Sequence, residues 1–264
     1  MPNLKFFATL SLVVLLLGSF SPAFGELLVH ESFDYAAGST VFGQGSWSGH
    51  DPGAGTTIDA NGLTYPGMFT SGGKATMAAG TNNHIKIDNA AVPAIAAAGW
   101  DQVDGGTFYM TYLVEGPHMD LWHNPFSAGS ISQIRDGNVK VTNSPDAGPS
   151  HINASRDGSN TSFVIYRMTM PTSGGDPGSQ QLIVDPDLSA GESAAFAGAP
   201  STNAFAISGN EAFIQFSRAP GQGATSIDEF RFATTWAAAV PEPTSLTLFG
   251  IAFLLPLLVL RKRQ

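Results

Sequence analysis

The feature that most constrains the fold of this chain is the regular interruption of its apolar runs by turn-forming residues. Glycine, proline, serine, asparagine and aspartate recur roughly every 8 to 15 residues, and the apolar runs between them are short. The 30 glycines and 17 prolines leave few stretches that suit an amphipathic helix. Many short strands separated by turns are typical of antiparallel sandwiches, so the sequence predicts an all-β, two-sheet fold.

The strand predictions rest on segments that alternate or are rich in β-branched and aromatic residues. The predicted strands are Glu26–Phe33, Thr107–Val114, Ser162–Met170, Gln181–Val184, Ala204–Ser208, Ala212–Ser217 and Ser226–Thr234. We expect the third and fourth of these strands to form one antiparallel pair, and the fifth and sixth to form another. In the first strand, alternation puts Leu27, Val29, Glu31 and Phe33 on one face. One helix is predicted over Ala90–Ala98, kept short by Pro93.

The two ends of the chain carry apolar segments with the pattern of targeting signals. Residues 1–25 combine Lys5, an apolar run and small residues at Ala23 and Gly25, which is the pattern of a secretory signal peptide. Near the other end, residues 246–260 are almost wholly apolar and would reach roughly 22 Å as a helix. A basic stop of Arg261, Lys262 and Arg263 follows and should stay on the cytoplasmic side of the membrane. The sequence therefore predicts a mature domain, residues 26–239, that begins near Glu26 and is followed by a sorting segment, residues 240–264, with a transmembrane helix.

The tripeptide Pro241, Glu242 and Pro243 stands directly before that helix. Proline stiffens the tripeptide into an extended form, and the compositional break at residues 237–240 separates it from the last predicted strand. The tail of motif, short helix and basic terminus resembles the PEP-CTERM sorting signal of Gram-negative bacteria. The resemblance implies export through the Sec translocon and signal peptidase, transient residence in the inner membrane, processing by an exosortase, and delivery to the cell surface or extracellular matrix. A plain tail anchor and a buried core helix are the alternatives.

Three further segments carry a second resemblance. They are the opening residues Glu31–Ser39, the loop Val184–Leu188 and the ending Ile227–Trp236. In this order they resemble the concanavalin A-like, laminin-G-like jelly-roll domains that accompany PEP-CTERM tails. The resemblance implies two antiparallel sheets packed face to face with the first and last strands as neighbours. It also implies a family whose members bind or cleave polysaccharides.

The charge of the domain excludes one class of partner. Four of the 12 basic residues and one of the 21 acidic residues lie in the terminal segments, which leaves eight basic and 20 acidic residues, a net charge of −12. A nucleic-acid partner would need a basic face, so none is expected. The same acidity argues against electrostatic adhesion to anionic glycans. The chain has no cysteine, so neither disulfides nor thiolate metal sites can form.

Two clusters are candidates for binding glycans. On a strand, His118, Asp120 and Trp122 would share one face, with the tryptophan stacking on a sugar. Trp47 with His50 and Asp51, in a glycine-rich segment, suggests the same chemistry. An ordinary loop at the rim of a sandwich is the simpler interpretation of both clusters, and part of a metal site is a further alternative for the first.

Calcium is the one cofactor that the sequence leaves open. Asp185 and Asp187 form an oxygen-rich turn of the kind that calcium favours, but without the spacing of a calcium-binding loop. Aspartate is also what such a turn needs for its own backbone.

No catalytic residues are identified in the sequence. A glycosidase of this fold class would need two carboxylates about 5 Å apart, and the Glu-x-Asp-x-x-Glu strand that would supply them is missing. We therefore expect an exported, non-catalytic β-sandwich that binds polysaccharide. The alternatives are a polysaccharide-active enzyme, either glycosidase or lyase, and a passive structural component of the matrix.

Overall fold

The computed structural model describes residues 25–48, 55–79, 83–88, 92–99, 106–124, 130–135, 138–143, 151–156, 159–174, 178–199, 201–203, 213–218 and 223–240. The strands in these ranges are β1 (Leu27–Glu31), β2 (Trp47–Ser48), β3 (Thr56–Asp59), β4 (Lys74–Met77), β5 (Asn83–Asp88), β6 (Thr107–Glu115), β7 (His118–Asn124), β8 (Ser130–Arg135), β9 (Asn138–Asn143), β10 (His151–Ser155), β11 (Ser162–Thr169), β12 (Ser179–Val184), β13 (Ser201–Asn203), β14 (Phe213–Arg218) and β15 (Thr225–Ala233). Short helices are α1 (Pro93–Ala97), α2 (Gly191–Ala195) and α3 (Trp236–Ala239), with a 3-10 turn at Leu188–Ala190.

The strands form two sheets, and the strand pairs in the described ranges are antiparallel. The eight-stranded sheet has the order β13-β12-β11-β6-β15-β4-β3, with β1 on the same edge of β15 as β4. The seven-stranded sheet has the order β10-β9-β8-β7-β14-β5-β2. The antiparallel two-sheet sandwich predicted from the sequence is confirmed.

The main core lies between the two sheets. Phe216 of the seven-stranded sheet packs edge-on against Tyr112 and Phe230 of the eight-stranded sheet, with ring centroids 5.6 and 5.3 Å apart. Trp47 of β2 lies 6.2 Å from Phe230 and stacks on Phe33 at 5.5 Å. These aromatic contacts join the inner faces of both sheets, so burial in the core fixes which face of every strand points inward.

The strands with the strongest apolar patterns lie where the sequence predicts them. Thr107–Glu115 and Thr225–Ala233 are central neighbours in the eight-stranded sheet, and β11 pairs with β12 through Ile165 opposite Ile183. The prediction that the first and last strands are neighbours is also confirmed, since β1 pairs with β15.

The face predicted for the first strand is wrong in part. The buried residue is Leu28, whereas Leu27 is 41% exposed. The register of β1 against β15 shifts between Leu27 and Val29, and such a bulge interrupts the alternation that the prediction assumed. The predicted helix over Ala90–Ala98 is confirmed only as α1, which begins at Pro93, a residue suited to a helix start.

Two other expectations are corrected. The strand predicted over Ala212–Ser217 is β14, but β5 and β7 occupy its two edges, so the pairing with 204–208 is wrong. Residues 204–208 themselves lie outside the described ranges. The compositional break at residues 237–240 belongs to the folded domain, because it forms most of α3 and buries Ala239 and Val240.

Apart from Gly25 and Val240, the predicted targeting segments lie outside the described ranges. Among the helices in those ranges, none has the length and hydropathy needed to cross a membrane.

Candidate functional site

The outer face of the eight-stranded sheet is apolar and is covered by the chain itself. This second core contains Leu63, Tyr109, Leu113, Phe163, Ile165, Ile183, Phe196, Ala233, Ala239 and Val240. Helix α3 is fixed to the sheet by the hydroxyl of Thr111, which donates to the carbonyl of Ala239 at 3.0 Å. The described part of this face is therefore used for folding.

Helix α2 is tied to the same sheet by a polar cluster. Glu192 accepts a hydrogen bond from the hydroxyl of Tyr109 at 2.6 Å and from Arg167 at 2.8 Å. The Arg167 guanidinium also lies 4.0 Å from the ring centroid of Phe196. Burial, and then the hydrogen bond to Glu192, raise the pKa of Tyr109 well above its usual range. These residues bind one another through hydrogen bonds and a cation–π contact, so the cluster stabilises the fold.

The outer face of the seven-stranded sheet has a different composition. Ile85, Ile87, Ile214 and Phe216 are buried in the main core, so the alternate residues of β5 and β14 belong to the outer face. The antiparallel register extends this assignment across the sheet, because directly paired residues lie on the same face. One row of paired positions runs Ser48, Lys86, Gln215, Trp122, Ile131, Thr142 and His151.

The next two rows are wholly polar, whereas the first includes Trp122 and Ile131, and a short marginal row runs Asp88, Phe213 and Asn124. Of the two polar rows, one runs His84, Ser217, Asp120, Gln133, Lys140 and Asn153. The other runs His118, Arg135, Asn138 and Ser155. The six neighbouring strands β5, β14, β7, β8, β9 and β10 lie about 4.8 Å apart, so together they extend over roughly 24 Å. We refer to the first row and the two polar rows together as the polar face, and it is the candidate functional site.

The two predicted glycan clusters differ in where the structure places their residues. His118, Asp120 and Trp122 alternate along β7 and share the polar face, as the sequence predicts for a strand. Trp47 instead lies in the main core, only 3% exposed, and its indole N–H donates to Glu31 at 2.8 Å. Its ring is therefore not available to stack on a sugar. His50 and Asp51 lie outside the described ranges.

Sequence reasoning missed most of the polar face. Lys86 is far from Gln133 and Lys140 in the chain, and the three share one face of the sheet only through the strand order. The signal that could have found them is the alternation of polar and apolar residues in segments 83–88 and 138–142, which is typical of strands with one buried face.

The aspartates considered for calcium have partners within the chain. Asp185 accepts a hydrogen bond from the backbone N–H of Phe163 at 2.7 Å. Asp187 caps the 3-10 turn by accepting from the backbone N–H and hydroxyl of Ser189 at 2.9 and 2.6 Å. These hydrogen bonds lower the pKa of Asp187. No cluster of three or more histidine, aspartate or glutamate residues suited to a metal occurs in the described ranges.

The turn at Asp187 also borders a surface pocket of about 310 Å³. Its lining residues are Tyr65, Pro66, Gly67, Pro186, Asp187, Leu188 and Ser189. Burial, and then the neighbouring Asp185, raise the pKa of Tyr65 to about 12, so the phenol stays protonated at neutral pH. The pocket thus has one phenol and one carboxylate but no basic residue.

A buried pair of acids lies within the ending Ile227–Trp236. Asp228 accepts from the backbone N–H groups of Leu63 at 2.8 Å and Glu229 at 2.7 Å. Glu229 accepts from the backbone N–H of Ser71 at 2.9 Å and lies 2.8 Å from His30 Nε2. Burial raises the pKa of Asp228 to about 7. Burial also acts to raise that of Glu229, but its hydrogen bonds with His30 and Ser71 bring its pKa below the usual value. The pair anchors the loop between β3 and β4 and is inaccessible to a polymer.

Comparison with known proteins finds similarity in structure only. No family model matches the sequence, and no curated protein matches it. An alginate lyase from Aplysia kurodai is 11% identical, with a TM-score of 0.49 over 80% of this chain and 100% of that one. A carbohydrate esterase from the Shiga toxin-encoding bacteriophage phi24B is 11% identical, with a TM-score of 0.47 over 79% and 98%. An endo-β-1,4-glucuronan lyase from Trichoderma reesei is 10% identical, with a TM-score of 0.45 over 83% and 99%.

Proposed function

We propose that this chain is an exported, exosortase-processed protein of the cell surface or extracellular matrix, and that it binds polysaccharide through the polar face. The observation that carries the binding proposal is the contrast between the two outer faces of the sandwich. The eight-stranded sheet covers its outer face with α2, α3 and the loop around Leu63. The seven-stranded sheet instead places polar residues and Trp122 on its outer face.

The residue types of the polar face suit a sugar polymer. Amides, hydroxyls and histidines can both donate and accept hydrogen bonds, as the hydroxyls of a sugar do. A tryptophan among them offers an apolar surface to the C–H face of a pyranose ring. The roughly 24 Å length of the face corresponds to a chain of several sugars rather than a single one.

The positions of the acidic residues favour binding of the polysaccharide without cleavage. Among the described positions on this side of the sheet, the acids are Asp88 and Asp120. They lie two strands and four residues apart, roughly 16 Å, which is far more than the 5–9.5 Å of glycosidase carboxylate pairs. An enzyme on the same fold remains the second candidate, and release of new reducing ends from a bound polysaccharide would identify it.

Affinity electrophoresis in gels containing the exopolysaccharide of the producing organism tests the proposal. The full-length chain, kept in detergent, should be retarded, and Trp122→Ala should weaken binding about tenfold through loss of stacking. Phe69→Ala is the matched control, because Phe69 is 65% exposed and follows Met68, which packs on the other sheet. Equal binding by wild type and Trp122→Ala would contradict the assignment of the face. No retardation in any gel would leave the passive matrix role.

A further inference from the structure

The rows of the polar face differ from the domain as a whole in their balance of basic and acidic residues. Three of the eight basic residues of the domain, Lys86, Arg135 and Lys140, occupy these rows. Of the 20 acidic residues of the domain, one, Asp120, lies in the described rows, with Asp88 at their margin. Three histidines, at positions 84, 118 and 151, share the face. Among the described positions, the rows of the polar face therefore hold three basic residues and one acidic residue, in a domain whose net charge is −12.

The basic residues are distributed in a line rather than gathered at a point. Lys140 is paired with Gln133, and Arg135 lies two residues further along β8, so Lys140 and Arg135 occupy diagonal positions whose Cα atoms are roughly 7–8 Å apart. Lys86 is four strands from Lys140, roughly 19 Å across the sheet. Trp122 and Gln215 are positioned between them. Spaced cations with amides and an indole between them match a polymer with repeated charges better than a single anion.

We infer that the ligand of the polar face is an anionic polysaccharide, in which carboxylate or sulfate groups meet Lys86, Arg135 and Lys140. This inference rests on the proposed function and names the class of ligand. Because the domain as a whole is acidic, such a polymer is expected to bind where basic positions outnumber acidic ones, as they do in these rows. The net charge of the domain alone argues against anionic glycans, but the sum does not describe where the charges lie.

The test compares three polymers in affinity gels, with the full-length chain in detergent. We expect retardation by polygalacturonate or by dextran sulfate, little by neutral dextran, and loss of retardation at high salt. Carboxylate and sulfate ligands are distinguished by which of the first two gels binds more tightly. Lys140→Gln should weaken binding about two- to fivefold, and the triple variant Lys86→Gln, Arg135→Gln, Lys140→Gln about 10- to 100-fold.

Lys74→Gln is the matched control for the single charge. Lys74 lies on the other sheet, where its ammonium is 3.4 Å from Glu115, and its removal changes the net charge by the same amount. Equal weakening by Lys74→Gln and Lys140→Gln would reduce the effect to net charge and overturn the inference. Salt-insensitive binding to neutral dextran that survives the triple variant would overturn it while leaving polysaccharide binding intact. Absence of binding to all three polymers, with unchanged circular dichroism, would count against both proposals.

Discussion

Asp228 is the residue whose ionisation opposes folding. Its carboxyl group is fully buried, and burial raises its pKa from 3.8 to about 7 in the folded state. The folded protein therefore keeps a proton that the unfolded chain releases between these two values. Because the folded state binds more protons in this window, the free energy of unfolding falls as the pH rises from about 4 to 7. Glu229 has the opposite sign, since its pKa is lowered, and its effect is confined to pH values below its ordinary 4.5.

We predict that the wild-type chain loses about 2–4 kcal/mol of stability between pH 5 and pH 8 from this one group. Asp228→Asn cannot ionise and should show a nearly flat profile in urea unfolding over the same range. The variant should be less stable than the wild type at pH 5, since its amide replaces one acceptor for the N–H groups of Leu63 and Glu229. Asp34→Asn, at an exposed position, is the control and should retain the wild-type fall. An equal fall in Asp228→Asn would disprove the assignment.

Trp47, one of the two tryptophans considered for sugar binding, should affect stability rather than binding when it is substituted. Trp47 packs between Phe33, Phe216 and Phe230. Trp47→Ala should therefore cost about 3–5 kcal/mol in the free energy of unfolding, measured by denaturant titration. Trp47→Phe, which keeps a ring but loses the hydrogen bond to Glu31, should cost about 1–2 kcal/mol. A stable Trp47→Ala variant with impaired glycan binding would show that this residue acts at the surface.

Among the elements, the strands covered on both faces are those that the sequence reveals. Strand β6 is sandwiched between the main core and the second core, so Phe108–Val114 is buried throughout and reads as a continuous apolar run. Strands β7 to β10 have one polar face and short apolar alternations, and their weaker pattern predicted only the face of His118, Asp120 and Trp122. Strand order is set by crossings between sheets, which local pattern does not encode. For that reason the strand pairing that the sequence predicts for β14 is wrong. The residues of the polar face could likewise not be grouped from the sequence alone.

Helix α3 shows the same difficulty at the end of the domain. Its sequence, three alanines and a valine after Trp236, suggests a spacer by composition, yet Ala239 is fully buried and Ala237 is exposed. Small residues allow the helix to approach the sheet closely, with Thr111 bonded to its last carbonyl. What composition alone cannot show is whether such a segment has a surface to dock on.

A pair of substitutions within α3 tests its docking. Ala239→Glu would place a charge and four additional heavy atoms beyond Cβ into the second core, and should lower the free energy of unfolding by about 2–4 kcal/mol. Ala237→Glu introduces the same side chain two residues earlier at an exposed position, and should change stability by less than about 0.5 kcal/mol. Thermal or urea unfolding distinguishes the two. Similar, small effects would indicate that α3 is a loose spacer after all.

At the scale of the whole molecule, the two sheets form three regions of different composition. The space between the sheets supplies the main core, the outer face of the eight-stranded sheet supplies a second core, and the outer face of the seven-stranded sheet carries the rows of the polar face. Because the second core occupies the outer face of the eight-stranded sheet with the chain's own loops and helices, the other outer face is the one that we propose for a ligand. The sequence predicts the sandwich and the sum of the charges, whereas the distribution of those charges follows only from the register of distant strands.

The two proposed processing points border on neighbouring parts of the fold. The backbone N–H of Thr234 donates to the carbonyl of Glu26 at 3.0 Å, and Val240, directly before the motif, is buried. Replacing Pro241, Glu242 and Pro243 by alanines alters none of the described residues that form the two cores. We therefore expect stability within about 0.5 kcal/mol of the wild type, together with retention in the inner-membrane fraction, because the exosortase would no longer recognise its motif.

Cell fractionation and urea unfolding of the same variant separate sorting from folding. The adjacent substitution of Thr244 and Ser245 by alanine is the control, since it leaves the motif intact and should permit release to the surface. Normal surface release of the variant lacking the motif would disprove the sorting assignment. Retention accompanied by a large loss of stability would instead mean that the tripeptide contributes to the sandwich, and that the folded domain extends beyond Val240.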